Sequence, residues 1–445
     1  MTSPEWSSVL DLYQRIVCAG LIQYLQRQAG MKSKRGIYGA PVVLWLMMLQ
    51  RLNQRGTLAS AVQLLIQGAA EPLLTDCRRI RRKRISCRTG GYCQARQKLP
   101  KLLCRQVSQE IVERLRQLLS SSQSAGPTNV FVLDGSTLEL ESSRKLLELY
   151  PPPHNQHGLG HWAMLRIVVL HDVETGLAQQ PCWGPMNGPQ ATSEQALAEK
   201  AIGDLPAGSV IVADRNFGIF SVAYAARNRG MGVVLRLTDI RAHKLMAPIS
   251  APGEYPVVWK ASRWDGGKQP RWPAEASVEA RLIAIRVGRG KSKQWLYLFT
   301  TLQDSIEDIV ALYGRRWSIE TDLRSLKRTV QLHHISAKSE DMMEKEILMA
   351  ISAYNLVRAV MCMAARRHRI EPRQLSFTHV LNVVDAAWPK LAMAPNKRQH
   401  DREFLRVLDL AAQCTLPKRS KRRSYPRLQW RRGGPLRFRK AEKTK

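Results

Sequence analysis

Val130-Phe131-Val132-Leu133-Asp134-Gly135-Ser136-Thr137 decides how this chain folds. Four apolar residues in a row read as a short buried strand, and the run stops on an acid followed by glycine. Ser209-Val210-Ile211-Val212-Ala213-Asp214-Arg215-Asn216-Phe217 repeats the arrangement further along. Phe220 to Asn228 then reads as a helix and Gly232 to Leu237 as another strand. Strands that alternate with helices predict an α/β domain built on an open mixed sheet. In such sheets ligands bind beyond the strand ends, where both aspartates are expected. An aspartate after a strand is also an ordinary turn former, so neither acid marks a site by itself.

A third acid comes from a helix. Leu312-Tyr313-Gly314-Arg315-Arg316-Trp317-Ser318-Ile319-Glu320 opens the pattern Y-x2-R-x3-E-x6-K, which ends at Lys327. At about 100° per residue, Tyr313, Arg316, Glu320 and Lys327 share an arc of about 60°. Leu312, Ile319, Leu323, Leu326 and Val330 form the neighbouring stripe, which must face a core. A single long helix from Ser305 through Leu332 would hold the polar edge at the seam between core and solvent. An amphipathic surface helix with an Arg316–Glu320 pair at i,i+4 has the same spacing. Asp134, Asp214 and Glu320 together supply carboxylates for two hard divalent cations. Two such ions roughly 3.5–4 Å apart serve both oxygens of an in-line phosphoryl displacement.

Around these segments the chain divides into three. Residues 1–125 read as a helical domain. Val42 to Arg51 and Leu58 to Ile66 flank Gln54-Arg55-Gly56, with Thr57 as N-cap, an outline common to a DNA-reading helix–turn–helix and a plain helical hairpin. Arg78 to Arg84 contains six cations in seven residues and must stay in solvent or on phosphate. Ser120 to Pro127 is a linker. Residues 128–365 form the α/β unit. Within it Met164 to Leu170 starts a hairpin, Ser193 caps a helix to Ile202, and residues 238–303 are β-rich, with Val278 to Val287 and Gln294 to Thr300 as the best strands. Met342 to Ala365 is a helix apolar almost all round, hence buried. Residues 366–445 are a basic C-terminal region. Its end, Thr415 to Lys445, has thirteen cations and one acid and reads as a disordered nucleic-acid arm.

Charge narrows the partners. The chain has 69 Lys+Arg against 36 Asp+Glu, a formal net charge of +33. Self-repulsion on that scale calls for a polyanion: nucleic acid first, an anionic membrane surface second. The longest dense apolar stretch, Val42 to Leu49, is too short to cross a bilayer, so no membrane is expected. The N-terminus lacks a basic segment followed by an apolar run, so no secretion signal is expected and a cytoplasmic, nucleoid-associated location follows. The eight cysteines are scattered, and Cys77, Cys87 and Cys93 have no histidine near them, which favours reduced thiols over a zinc site.

Asp134-Gly135-Ser136-Thr137, Asp214-Arg215-Asn216-Phe217 and the Tyr313/Arg316/Glu320/Lys327 set resemble the three catalytic segments of DDE transposases of the insertion-sequence-4 family. Leu348 to Arg358 is similar to the helix that follows them in that family. The resemblance runs over roughly residues 30 to 365 and weakens in the β-rich part and the tail. It implies a ribonuclease H-like catalytic core with a β-rich insertion, preceded by an all-α DNA-binding domain. It implies Asp134, Asp214 and Glu320 as catalytic ligands of two Mg²⁺ or Mn²⁺ ions. Tyr313, Arg316 and Lys327 would bind DNA phosphates, with Arg215 and Lys338 as further contacts. The expected partner is double-stranded DNA, transposon terminal inverted repeats and then target, held by a homodimer on paired ends. The expected reaction is cleavage at the element's ends followed by strand transfer. Two other readings fit the residues: a nuclease of the same fold that cuts without joining, and a non-catalytic or domesticated DNA-binding protein. Loss of an acid would favour the last, and all three acids are present.

His154, His157 and His161 match no common closed zinc spacing and read as solvated loop residues. Trp259, Trp264, Trp272 and Trp295 read as core packing, with stacking on an extruded base as the alternative. The basic tail generates a first prediction. Deleting residues 415–445 should weaken binding to every DNA sequence alike and flatten the salt dependence, because phosphate contacts carry no sequence information. Filter binding over a salt series checks this; loss of discrimination between specific and random DNA would place end recognition in the tail instead.

Overall fold

The computed structural model describes residues 8–31, 36–53, 56–74, 79, 82, 84–119, 129–156, 158–262, 272–273, 275–288, 294–333, 335–392, 394 and 396–416. The linker, most of the basic block at 78–84, Cys77, His157, Trp264 and the tail beyond 416 lie outside the described residues. The N-terminal helices are α1 (Val9–Ile16), α2 (Ala19–Gln28), α3 (Ala40–Leu52), α4 (Leu58–Ile66), α5 (Gly90–Lys98) and α6 (Lys101–Leu119). Thr57 caps α4 as its position implied, its hydroxyl accepting from Ser60 N–H at 3.0 Å.

The α/β unit follows with β1 (Val130–Leu140), α7 (Arg144–Leu149), β2 (His154–Asn155), β3 (Gly158–Leu159), β4 (Ala163–Asp172) and β5 (Cys182–Pro185). Next come α8 (Glu194–Gly203), β6 (Val210–Ala213), α9 (Phe220–Arg227), β7 (Gly232–Leu237), α10 (Asp239–Leu245), β8 (Gly253–Lys260), β9 (Ser277–Val287) and β10 (Gln294–Thr300). The helices α11 (Ile306–Gly314), α12 (Trp317–Arg324), α13 (Glu340–His368), α14 (Phe377–Ala392) and α15 (Lys397–Gln413) complete the described chain. One sheet has the order β5-β4-β1-β6-β7-β10-β9-β8. β6 and β7 run parallel to β1, and every other pairing is antiparallel. The β-rich part therefore prolongs the central sheet, through the β7–β10 pairing.

Side-chain alternation gives the sheet two buried faces. Val130 and Val132 of β1 join a core shared with α3, α6 and α13, while Phe131 and Leu133 join the core under α8 and α9. Strands covered on both faces read as continuous apolar runs, which is why β1 and β6 were legible. α13 is long and apolar enough to cross a membrane, but 94% of its most apolar window is buried inside the protein, so it serves as a core helix. Its polar residues are paired. Glu346 accepts from Arg51 of α3 and Arg96 of α5, each at 2.6 Å, with all three side chains buried. Charges buried this deeply persist only when paired, so these bonds fix the N-terminal helices to α13.

Two sequence expectations need correction. β1 does not stop before Asp134; it continues to Leu140 because β4 pairs with it from Phe131 to Leu140. The helix expected from Ser305 through Leu332 is interrupted between α11 and α12, and a π-helical turn, Ser325–Thr329, follows α12. A π turn holds an extra residue, so a constant angular step does not apply along the segment. α14 and α15, which pack on α13, lie in the region expected only to be basic.

A buried polar network locks α12. Asp322 is fully buried and accepts from both Arg358 of α13 and Arg373. Arg373 also donates to the Asp172 and Val173 carbonyls, and Tyr354 donates to the Gly176 carbonyl at 3.0 Å. His171 is fully buried beside it, edge-on to Tyr354 at 5.8 Å, and neither ring nitrogen has a hydrogen-bond partner among the described residues. Burial pulls the His171 pKa down to about 4. The folded protein therefore keeps this ring neutral where the unfolded chain, with an ordinary histidine pKa near 6.5, binds a proton. Stability should fall as pH drops from about 6.5 toward 4, by on the order of 3 kcal/mol. His171→Phe should remove that share of the acid sensitivity in urea melts at neutral and acid pH; an unchanged pH slope would contradict the assignment.

Candidate active site

β1 and β6 run parallel with Leu133 beside Ala213. The next residues are Asp134, still within β1, and Asp214, just past the end of β6, close enough for the Asp214 charge to act on Asp134. β6 ends at Ala213 while β1 runs on, and the gap this opens beside Asp134 is where a ligand can enter. Asp134 accepts from the Gly135 N–H at 2.8 Å, and Asp214 accepts from the Asn216 N–H at 2.8 Å. Burial pushes the Asp134 pKa up to about 6; the charges of Asp214 and Glu194 add to this, while the Gly135 N–H and Arg316 oppose it. Acids crowded at a partly buried point lower their energy by taking a proton or a metal cation.

The signature helix reaches this point in pieces. Tyr313 ends its run in α11, buried, with a hydroxyl that has no hydrogen-bond partner among the described residues. Arg315 is exposed, whereas Arg316 is 7% exposed, its guanidinium 5.7 Å from the Tyr313 ring centre and close enough to act on Asp134. Glu320 lies in α12, which packs against β1. Ile319, Leu323, Leu326 and Val330 join the core as their spacing implied. The π turn brings Lys327 onto β1, where its ammonium donates to Ser136 Oγ at 2.9 Å and to the Thr137 carbonyl at 3.0 Å.

A cleft of about 1030 Å³ opens from Asp134 and is lined by Thr137, Trp162, Arg324, Lys327 and Arg328. Arg215 is exposed on the Asp214 loop, and its carbonyl accepts from Arg241 at 2.8 Å. Lys338 is exposed, with its carbonyl bound by the Ser143 hydroxyl at 2.9 Å. His154 is exposed and His161 packs edge-on to Trp162 at 4.8 Å. Trp259 packs on Phe299 at 4.9 Å, Trp272 on Phe220 at 5.5 Å, and Trp295 stacks on Tyr297 at 5.9 Å. These three tryptophans are packing residues. Trp162, which the sequence reading did not single out, is 46% exposed in the cleft. Glu194 was also missed, because an acid after the Ser193 cap looks like ordinary first-turn charge.

Among the described residues, which exclude the Glu320 side chain, no three His, Cys, Asp or Glu side chains form a ready metal cage. The donor chemistry nevertheless suits a hard divalent cation, since the nearby groups are carboxylate oxygens.

Asp134 on β1 and Asp214 just past the end of β6 thus lie on neighbouring chains, with α12 packed against β1, an arrangement of the kind seen in a DNA-processing transposase domain. The chain belongs to the DDE transposase family: the Transposase DDE domain model matches residues 125–356, more than half of it. It is also similar to the transposase InsG for insertion sequence element IS4 of Escherichia coli (strain K12), 27% identical over 213 residues, or 44% of this chain and 45% of that relative. The match thus spans under half the length of the curated relative. The insertion-sequence-4 type indicated by the sequence motifs agrees with both comparisons.

The contrast between neighbouring arginines is testable. If Arg316 holds a phosphate as the resemblance implies, Arg316→Ala should leave Mn²⁺ binding measurable but cost on the order of 100-fold in single-turnover cleavage, because a phosphate out of line reacts slowly. Arg315→Ala, altering an exposed side chain, should be nearly silent. Equal rates for the two variants would show that positive charge in general matters, not the Arg316 position.

Proposed function

We propose that the chain is a cut-and-paste DNA transposase with a ribonuclease H-like core, acting at the ends of an insertion sequence. The β1–β6 register, which sets Asp134 beside Asp214 under the helix of Glu320, is the observation that carries this reading. An antiparallel β5-β4-β1 set continued by two parallel strands, with helices on both faces, supports the ribonuclease H-like core. Asp134, Asp214 and Glu320 would hold two Mg²⁺ or Mn²⁺ ions, which when bound activate water and stabilise charge on the reacting phosphate. In the first step a water oxygen attacks phosphorus and the bond to the 3′-oxygen breaks, leaving a 3′-hydroxyl and a 5′-phosphate. In the second, that 3′-hydroxyl attacks a target phosphodiester and displaces its 3′-oxygen, so one ester replaces another and no external energy source is needed.

The chain's own residues set geometry and charge. Arg316 opposes the rise in the Asp134 pKa and would meet a phosphate oxygen. Lys327, fixed on Ser136 and Thr137, puts a cation beside the strand that bears Asp134. Tyr313 offers a buried hydroxyl, and Arg324 and Arg328 line the cleft through which a DNA strand would pass. Arg215 and Lys338 are outer phosphate contacts. Net charge supports double-stranded DNA as substrate and target. The N-terminal helical region would contribute end binding, within a homodimer on paired ends in the cytoplasm.

Oligonucleotide duplexes ending in the element's terminal repeats, mixed with a supercoiled target and Mg²⁺, test this directly. The wild-type chain should join 3′ ends covalently to the target. Asp134→Ala, Asp214→Ala and Glu320→Ala should abolish cleavage while DNA binding stays within a few-fold, and Ca²⁺ should support binding without turnover. Cleavage without joining would favour the nuclease reading. An Asp214→Ala protein that nicks at the wild-type rate would refute the site.

A further inference from the structure

The acid at the start of α8 is bonded into the loop that carries Asp214. Glu194 Oε2 accepts from Asn216 Nδ2 at 2.5 Å. The Asn216 backbone N–H in turn donates to Asp214 Oδ1 at 2.8 Å. Gln195, the next residue, donates from Nε2 to the Asn216 carbonyl at 3.2 Å and to its Oδ1 at 3.1 Å. Asn216 is thus held on its side chain and its carbonyl by two consecutive helix residues, and spends its own N–H on the acid. On the other side, the Glu194 carboxyl lies directly over Gly135, where an added Cβ would stand 2.9 Å from Glu194 Cδ. A side chain after Asp134 would push the Glu194 carboxyl aside.

We propose that Glu194 is a positioning residue which, through Asn216, fixes the orientation of Asp214, and that Gly135 leaves the space it needs. The inference rests on the metal-binding role proposed for Asp214. It also gives a purpose to Asn216. A free aspartate at a strand end samples several rotamers; one tied through its loop presents the same oxygen to a cation each time. Partners that orient a metal ligand commonly contribute 10–100-fold in affinity.

Mn²⁺ titration calorimetry on the full chain tests this, with thermal unfolding in chelator as the folding control. Glu194→Ala and Asn216→Ala should each weaken Mn²⁺ binding about 10-fold. The double variant should be no worse than the weaker-binding single, because both break one chain of bonds. Glu194→Gln, whose Oε1 still accepts from Asn216, should recover most of the affinity. Gly135→Ala should reproduce the loss with Glu194 intact, and carries the test if Glu194→Ala fails to fold. Wild-type affinity in Glu194→Ala, additive losses in the double variant, or a Glu194→Gln as weak as Glu194→Ala would each overturn the inference. Asp214→Ala separates the levels: retained Mn²⁺ binding there overturns the metal-site reading itself, whereas its loss beside an unaffected Glu194→Ala overturns the positioning role alone.

Discussion

The parallel pairing of β1 with β6 is the constraint on which the site depends. A one-residue slip would leave each strand intact and yet turn every side chain to the opposite face. Asp134 and Asp214 would then part, and Val130 and Val132 would trade cores with Phe131 and Leu133. Burial of both faces makes that slip expensive, because each strand has apolar side chains committed to two different cores. The register that aligns the acids is therefore enforced by residues that take no part in chemistry. β1 then continues past its parallel partner under the hold of β4, so Asp134 stays on a rigid strand while one side of it stands open.

The third arm is held by different means. α12 is short, flanked by an interruption and a π turn, and such a segment has little stability of its own. Asp322, buried two residues beyond Glu320, supplies what local structure does not. Its bonds to Arg358 and Arg373 tie α12 to α13 and to the end of β4. Removing one partner from a buried ion cluster typically costs about 3–5 kcal/mol, because the remaining charge is left in a poor solvent. The same logic joins Glu346 to Arg51 and Arg96. α13 thus acts as a spine, with apolar contacts along its length and ion clusters that fix what lies beside it.

Much of this was legible in the sequence, for identifiable reasons. β1, β6 and β7 are buried on both faces, so they appear as unbroken apolar runs. Thr57 and Ser193 announce helix starts because capping is local chemistry. The stripe from Ile319 to Val330 was visible because a core face repeats with the helical period. The π turn was not visible: it arises where Lys327 bonds to Ser136 and Thr137, a contact between residues far apart in sequence. The continuation of β1 depends on β4, another distant partner. Asn216 and Glu194 were unreadable for the same reason, since their bond spans two elements and each residue looks ordinary in its own segment.

Charge in this chain is divided by position, and the division bears on how the proposed reaction would be controlled. The whole molecule is strongly cationic, but the point where β1 passes β6 gathers Asp134, Asp214 and Glu194, with Arg316 as the cation acting on Asp134. DNA would be drawn to the exterior and toward a cleft that carries Arg324, Lys327 and Arg328 together with Glu139 and Glu141. At the acids the same phosphates would meet like charge in a partly buried setting, where repulsion is poorly screened. Binding and reaction would then have opposite electrostatic requirements: the backbone is held by lysine and arginine, and a phosphate can approach the acids only once a divalent cation has reversed the local sign. On this reading the acids would repel a phosphate until a divalent cation offset their charge, so the residues that hold the DNA backbone and those that would hold the metal make opposite electrostatic demands on it.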